Sequence, residues 1–420
     1  MDTASSFKKL FDLHNFGVKL GLDNTIKFLE YLGNPQKLLK TIHIAGSNGK
    51  GSTACFISGI LQDSGYRTGL YTSPHFVKFN ERVVINGIQV NDEFISDFLT
   101  EHEAYIDEHQ LTFFEVTTAL AFKYFSEEDI DVCVIETGLG GRLDATNVLS
   151  PLAVVITSIS YEHTNILGER LEQIAAEKAA IIKPGVKVFT GKLPLEAERV
   201  VQEKCDKEDC KLFKITDFVD EKENKLSLMN NVINLDEIKI PVKGSYQKYN
   251  ASLAALVVSN SFPHINQEQI IKGIENTVIN TGLQGRYEYF HKNPTIIFDA
   301  AHNPEGVENF ISEFKNEYDS YRKRVLLFGA MQDKAIGTML KELSTCFDEI
   351  HITEIDYERS AKVDAINTEC QRLGIDVVIE REPVEFVTSF LNKQPGECLV
   401  VLGSIHLLGN IKAGMTINIT

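Results

Sequence analysis

The stretch Gly46-Ser47-Asn48-Gly49-Lys50-Gly51-Ser52 constrains this chain more than any other. It follows an apolar run, Thr41–Ala45, and opens a run, Ser52–Leu61, that reads as a helix. Strand, glycine-rich loop and helix in that order form the context in which such a loop binds phosphate. Glycines let successive backbone N–H groups converge on one anion, and the helix start adds partial positive charge. Gly46, Asn48, Gly49 and Gly51 are therefore candidate phosphate contacts, with Lys50 as a mobile cation and the Ser52 hydroxyl as a Mg²⁺ ligand. A glycine-rich turn without a ligand is the plainer alternative. The spacing departs from the common G-x-x-x-x-G-K-[ST] pattern, because Gly51 separates Lys50 from Ser52. The loop implies an enzyme that uses ATP.

The surrounding pattern implies an α/β fold. Thr68–Tyr71 reads as a second strand, while Asp131–Ile135 and Ala153–Ile156 are near-continuous apolar runs of the kind found in parallel strands covered on both faces. Leu111–Phe125 reads as a helix that is apolar all round and hence buried. Alternation of this kind predicts a doubly wound sheet. From about residue 192 to 244 charges multiply, and the alternating stretches Lys225–Met229 and Val232–Ile240 suggest a small β-rich excursion at the rim. Ala251–Ser259 returns to helix. A second series follows: Thr295–Phe298, Arg324–Phe328, Glu349–Thr353, Asp376–Ile379 and Cys398–Leu402 read as strands with helical spacers. A chain of 420 residues more naturally makes two or three domains than one. The cluster Asn280–Gly285 is the expected linker, giving an ATP-binding domain over 1–282 and a smaller α/β, Rossmann-like domain over 283–420.

Charge and cysteines narrow the setting. A net charge of −17 argues against a nucleic-acid partner and means that an anionic substrate must be captured by local features. The first residues carry no continuous apolar h-region, and no apolar run approaches membrane-spanning length. The seven cysteines are dispersed, odd in number and without C-x-x-C spacing, so free thiols in a reducing compartment explain them best. A cytoplasmic monomer acting on small molecules is the expectation.

Further candidates stand at strand ends and on one helix. Glu136 ends the run DVCVI, where open α/β sheets bind ligands, and is a candidate Mg²⁺ ligand; a surface glutamate is the alternative. In LEQIAAEKAAIIKPG, Leu171, Ile174, Ala175, Ile181 and Ile182 form an apolar stripe, and Lys178 falls on it. Either Lys178 snorkels, or it is a buried lysine near anions or metal, open to modification as a carbamate. His163 follows the run Ala153–Ile156 and gains weight only from such company. In the second half, Asp299 and His302 follow a strand and Arg286 sits just past the linker; together they could clamp a nucleotide, while each taken singly reads at least as readily as an ordinary polar residue without a ligand.

With these residues in view, the chain resembles the folylpolyglutamate synthase/dihydrofolate synthase family of the Mur ligase superfamily. The matching stretches include HIAGSNGKGST (43–53), YTSPHFVKFNERV (71–83), FFEVTTALAF (113–122) and ETGLGGRLDATN (136–147). They continue with TSISYEHTNILG (157–168), IAAEKAAIIKPG (174–185), LQGRYE (283–288), FDAAHNPEG (298–306) and VLGSIHLLG (401–409), in the family's order across nearly the whole chain. The resemblance implies Mur-ligase-type domains with ATP between them, and Lys50 on phosphate. It gives Ser52, Ser73 and Glu136 to one Mg²⁺, and His163, a carbamylated Lys178 and a shared Glu136 to a second, and leaves room for a monovalent cation. Asn250, Arg286, Asp299 and His302 would serve the nucleotide, with Lys50, His163, Lys178 and His302 closest to the chemistry. Phe113, Arg82 and Asp144 would meet the acceptor substrate, with Tyr71–Arg82 a loop near a pterin. Ala335, Leu402 and His406 depart from the family's pattern.

The implied reaction is ATP-dependent ligation of L-glutamate to dihydropteroate, tetrahydrofolate or both. Rivals are a family member acting on folates alone, a P-loop kinase or switch, and a silent binding protein. A peptidoglycan-building ligase would carry a UDP-sugar domain ahead of the loop, where this sequence has 45 residues.

Overall fold

A computed structural model describes residues 3–13, 17, 21–228 and 232–417. The chain divides into two compact units, one comprising Met1–Pro74, Asn80–Pro241 and Lys248–Gly282, the other His75–Phe79, Val242–Gln247 and Leu283–Thr420.

The first unit is built on an eight-stranded sheet. Its strands are β1 (Thr41–Ala45), β2 (Thr68–Tyr71), β3 (Val83–Ile85), β4 (Ile88–Gln89), β5 (Val132–Glu136), β6 (Ala153–Ile156), β7 (Lys187–Thr190) and β8 (Lys211–Lys214), in the order β4-β3-β2-β5-β1-β6-β7-β8. From β2 to β8 every neighbouring pair is parallel; β3 and β4 add an antiparallel edge. Every residue of β1, β5 and β6 is buried, which is why they read as unbroken apolar runs. β1 sits between β5 and β6, so the chain segments leaving these three strands emerge at one edge of the sheet, where the strand order reverses.

The glycine-rich loop leads into the helix Lys50–Asp63, whose residues Ser52 to Leu61 are all buried. The helix Phe113–Glu127 starts at a capping box: the Glu115 carboxylate accepts from the Thr112 N–H at 2.6 Å, and the Thr112 hydroxyl accepts from the Glu115 N–H. Such a cap contributes about 1 kcal/mol and sets where the helix begins.

Residues 192–244 are less β-rich than their charge pattern suggests. Leu195–Lys207 is a helix with Ala197, Val201 and Cys205 buried, and β8 belongs to the main sheet. Only β9 (Val219–Asp220), β10 (Lys225–Ser227) and β11 (Val232–Asn234) form a separate small sheet. Met229, expected in a strand, lies outside the described residues. The expected strand to Ile240 stops at Asn234, where that side chain accepts from the Asp236 N–H and a short 3₁₀ turn follows.

The second unit carries β12 (Glu288–Lys292), β13 (Thr295–Asp299), β14 (Lys323–Phe328), β15 (Glu349–Ile352), β16 (Val378–Ile379) and β17 (Glu397–Leu402), in the order β12-β13-β17-β14-β15-β16. All pairs but β12–β13 are parallel, and an apolar core covers each face. Phe76 packs with the core that includes Phe298, Leu407 and Leu408, which explains why His75–Phe79 groups with this unit. No helix among the described residues is long and apolar enough to cross a membrane.

Candidate active site

The glycine-rich loop is held by the segment that leaves β6. Asn48 N–H donates to Ser158 Oγ at 2.8 Å, Thr157 Oγ1 donates to the Asn48 carbonyl at 2.6 Å, and the Ser160 N–H donates to Ser47 Oγ at 3.0 Å. Gly49 has φ +82°, and a Cβ there would lie 2.6 Å from Asn250 Oδ1, so the Asn250 amide rests directly on the loop. Only glycine adopts that backbone without strain and leaves Asn250 room.

Two lysines meet on one carbonyl. Lys50 Nζ donates to Gly46 O at 2.8 Å and to Ser47 O at 3.1 Å; Lys178 Nζ donates to the same Gly46 O at 2.9 Å. The apolar stripe carries Lys178 inside, where it is 1% exposed, although its helix ends at Ala179 and Ile181 and Ile182 are buried beyond it. A buried ammonium needs a counter-charge, and Glu162 Oε1 supplies it at 2.6 Å. Burial works to raise the Glu162 pKa, but Lys178 and Lys50 outweigh it and hold the carboxyl at about 2. Burial, aided by Lys50, pulls the Lys178 ammonium below its ordinary value despite Glu162. Sequence reasoning overlooked Glu162; the signal was the unpaired lysine on an apolar face. His163, beside it, is half-buried at φ +44° and caps the short helix Thr164–Leu167 through its carbonyl.

Glu136 ends β5 opposite Ile44 of β1 and is 3% exposed. Its Oε2 accepts from the Ser73 N–H at 3.0 Å, and a Cβ on Gly51 would lie 3.5 Å from the same oxygen. Ser52, in the first turn of the adjoining helix, is 1% exposed. The extra glycine thus keeps space open beside a buried carboxylate. Carboxylate and hydroxyl donors in that position suit a hard divalent cation, so these residues fit the metal that the loop implies.

A cavity with about 760 Å³ of unfilled space, part of it open to solvent, lies in the same unit. Phe114, Leu139, Leu143 and Ile166 give it apolar walls, and Arg142, Glu115, Asp144 and Glu177 give it charge. Burial pushes the Asp144 carboxyl above its ordinary pKa, against hydrogen bonds from Thr146 and from the Leu139 N–H. Phe113 does not line this cavity; it is 1% exposed and stacks on Phe11. Arg82 is 3% exposed with its guanidinium 5.1 Å from the Phe113 ring centre and 5.8 Å from that of Phe114.

In the second unit, Asp299 ends β13 and is 3% exposed, its carboxylate accepting from the Tyr287 and Ala301 N–H groups at 2.8 Å each. Burial raises its pKa, with Arg286 pulling the other way. His302 Nδ1 donates to the Ala300 carbonyl at 2.9 Å, which leaves Nε2 as the basic nitrogen. Arg286 donates to Gly285 O at 3.0 Å. Of the residues that depart from the family's pattern, Ala335 is the N-cap of the helix Ile336–Leu343, Leu402 pairs with Asp299 across β17 and β13, and His406 stacks on Tyr357 at 4.2 Å.

Comparison with known proteins agrees along the chain. Residues 44–258 match the Mur ligase middle domain and residues 285–405 the Mur ligase glutamate ligase domain. The dihydrofolate synthase/folylpolyglutamate synthase of Bacillus subtilis (strain 168) is 33% identical over 417 residues, 94% of this chain and 95% of that protein. A crystal structure of Mycobacterium tuberculosis folylpolyglutamate synthase complexed with ADP and AMPPCP superposes with a TM-score of 0.87 at 27% identity, covering 98% of each chain. That of the bifunctional folylpolyglutamate synthase/dihydrofolate synthase from Yersinia pestis, complexed with AMPPNP and Mn ion, gives 0.85 at 26% identity over 99% of this chain and 98% of that one. By fold and by sequence the chain belongs to the folylpolyglutamate synthase/dihydrofolate synthase family of the Mur ligase superfamily.

Proposed function

We infer that this protein is an ATP-dependent ligase that forms an amide between a folate-type carboxylate and L-glutamate, with dihydropteroate and tetrahydrofolate both as acceptors. One observation carries the reading: Lys50 and Lys178 converge on Gly46 O beside the glycine-rich loop, and an apolar cavity with a carboxylate lies in the same unit. On this reading residues 1–282 bind ATP and residues 283–420 form the glutamate-ligase domain.

The acceptor carboxylate attacks the γ-phosphorus of ATP, ADP departs, and an acyl phosphate results. The glutamate amine then attacks the acyl carbon, expelling inorganic phosphate and leaving an amide. Catalysis of this kind is positioning and charge stabilisation. Lys50 exchanges the Gly46 and Ser47 carbonyls for phosphate oxygens, and Gly46, Asn48, Gly49, Gly51 and Asn250 shape the loop that receives them. Glu136, Ser52 and Ser73 would hold one Mg²⁺, and Glu136, His163 and Lys178 as its carbamate a second. Bound there, the cations would offset phosphate charge. A lowered Lys178 pKa favours the neutral amine that takes up CO₂, at the cost of its bond to Glu162. Asp144 and Phe114 hold the pterin, with Arg82 behind Phe114. The second unit's guanidinium, carboxylate and imidazole, Arg286, Asp299 and His302, have the chemistry to engage a nucleotide.

Phosphate release with ATP and L-glutamate, measured with dihydropteroate and with tetrahydrofolate, tests this. Turnover with neither acceptor would overturn the reading, and phosphate release independent of glutamate would favour a P-loop ATPase. Lys178→Ala activity that small added carboxylates fail to restore in part would count against the carbamate.

A further inference from the structure

The carboxylate in the cavity wall is held from behind by a relay that ends in the central strand. Asp144 Oδ1 accepts from the Thr146 hydroxyl at 2.5 Å and from the Thr146 N–H at 3.0 Å, while Oδ2 accepts from the Leu139 N–H at 2.8 Å. Thr146 Oγ1 in turn lies 2.8 Å from His43 Nε2. A hydroxyl has one hydrogen, and Thr146 gives it to the carboxylate, so His43 must be the donor to Thr146. That fixes the ring as the neutral Nε2–H tautomer. Burial and the charge of Lys183 lower the imidazole pKa to about 3, consistent with a neutral ring.

His43 is an odd occupant of its position. It sits in the middle of β1, is 0% exposed, and its Nδ1 has no hydrogen-bond partner among the described residues. An orphaned buried nitrogen is destabilising, and the apolar residues that fill the rest of the sheet's centre would avoid the penalty. The N–H on the opposite side of the ring is what such residues lack.

We propose that His43 is a positioning residue for acceptor recognition: through Thr146 it fixes the Asp144 carboxylate so that the cavity presents an oriented anionic acceptor to the adjacent ring N–H and amino donors of a pteridine. This rests on the reading of the cavity given above. The His43 N–H commits the Thr146 lone pair, so the hydroxyl hydrogen has one direction in which to point, and the carboxylate is preorganised before substrate arrives. His43 touches no substrate; it acts through Thr146.

The test uses the full chain and four variants, H43L, H43Q, T146V and the double H43L/T146V, with dihydropteroate affinity and the KM for ATP as readouts. Loss of the hydroxyl's bond to a charged group predicts roughly tenfold or greater weakening of dihydropteroate binding in T146V, and loss of the neutral His43–Thr146 bond roughly fivefold weakening in H43L, with the KM for ATP within about twofold of wild type in both. H43Q, whose amide N–H can take the place of Nε2–H, is expected to stay within about threefold of wild type. The double variant is expected to be no weaker than the worse single one, since both break the same relay. H43L that binds dihydropteroate like wild type would overturn the proposal. So would H43L that loses ATP and dihydropteroate alike, which is the mark of a merely structural residue in β1. Should H43L fail to fold, T146V decides by the same criteria. Wild-type protein that binds ATP but not dihydropteroate would overturn the cavity's assignment and this proposal with it.

Discussion

Lys178 Nζ and Glu162 Oε1 form an ion pair 2.6 Å long whose side chains are 1% and 6% exposed. The same ammonium donates to Gly46 O, so the pair also secures the glycine-rich loop. Replacing Glu162 by Gln keeps the shape but strips the counter-charge from a buried ammonium. Breaking a buried pair from one side costs about 3 kcal/mol or more. Urea unfolding of Glu162→Gln is expected to read a loss of that size, and a midpoint equal to wild type would refute the buried pairing.

Phe113 and Phe114 are neighbours with different surroundings. Phe113 is 1% exposed in the core, while Phe114 is 37% exposed and lines the cavity. Phe113→Ala is expected to cost about 3 to 5 kcal/mol of stability. Phe114→Ala is expected to cost little stability and to raise the KM for the pterin acceptor about tenfold. Thermal melts together with acceptor kinetics separate the two, and a reversed pattern would mean that the cavity is not the acceptor site.

That pair also marks where the sequence stops being readable. Strands β1, β2 and β6 begin and end where their sequence runs do, because burial on both faces keeps them mostly apolar, with His43 as the exception inside β1. Helix Leu195–Lys207 was hidden for the opposite reason: its buried stripe is only Ala197, Val201 and Cys205, set among charges. Lys178 was legible from helical spacing, but Glu162 was not, since their meeting depends on how two loops and a helix fold together. Adjacent residues on a helix point about 100° apart, so which phenylalanine faces the cavity follows from the cap at Thr112 and from tertiary packing.

Glu317 gives the second unit a pH dependence. Its carboxylate accepts from the hydroxyls of Tyr287 at 2.6 Å, Tyr289 at 2.7 Å and Tyr321 at 3.1 Å. Burial works to raise its pKa, but these phenols and Lys243 outweigh it and hold the carboxyl below the ordinary 4.5. The unfolded chain therefore binds more protons in the window just below 4.5, and stability rises with pH there. The contribution is complete above that value and is lost as the pH falls. Wild type is expected to lose stability faster than Glu317→Gln between about pH 5 and pH 3, and parallel unfolding curves would refute the assignment.

Gly51 offers the sharpest separation of stability from function. It lies in the first turn of the helix Lys50–Asp63, so alanine there should favour the helix by roughly 0.5 to 1 kcal/mol. A Cβ at this position would sit 3.5 Å from Glu136 Oε2, an ordinary contact that forces nothing to move. It would nevertheless lay a methyl group against the carboxylate assigned to Mg²⁺, displacing water or cation from one side of it. Gly51→Ala is therefore expected to melt at the wild-type temperature or slightly above it. Its half-saturating Mg²⁺ concentration in the ligase assay should rise about tenfold or more, which corresponds to the loss of one charged interaction. Unchanged Mg²⁺ dependence in a well-folded Gly51→Ala would move the cation away from Glu136, and with it the explanation for the glycine that separates Lys50 from Ser52.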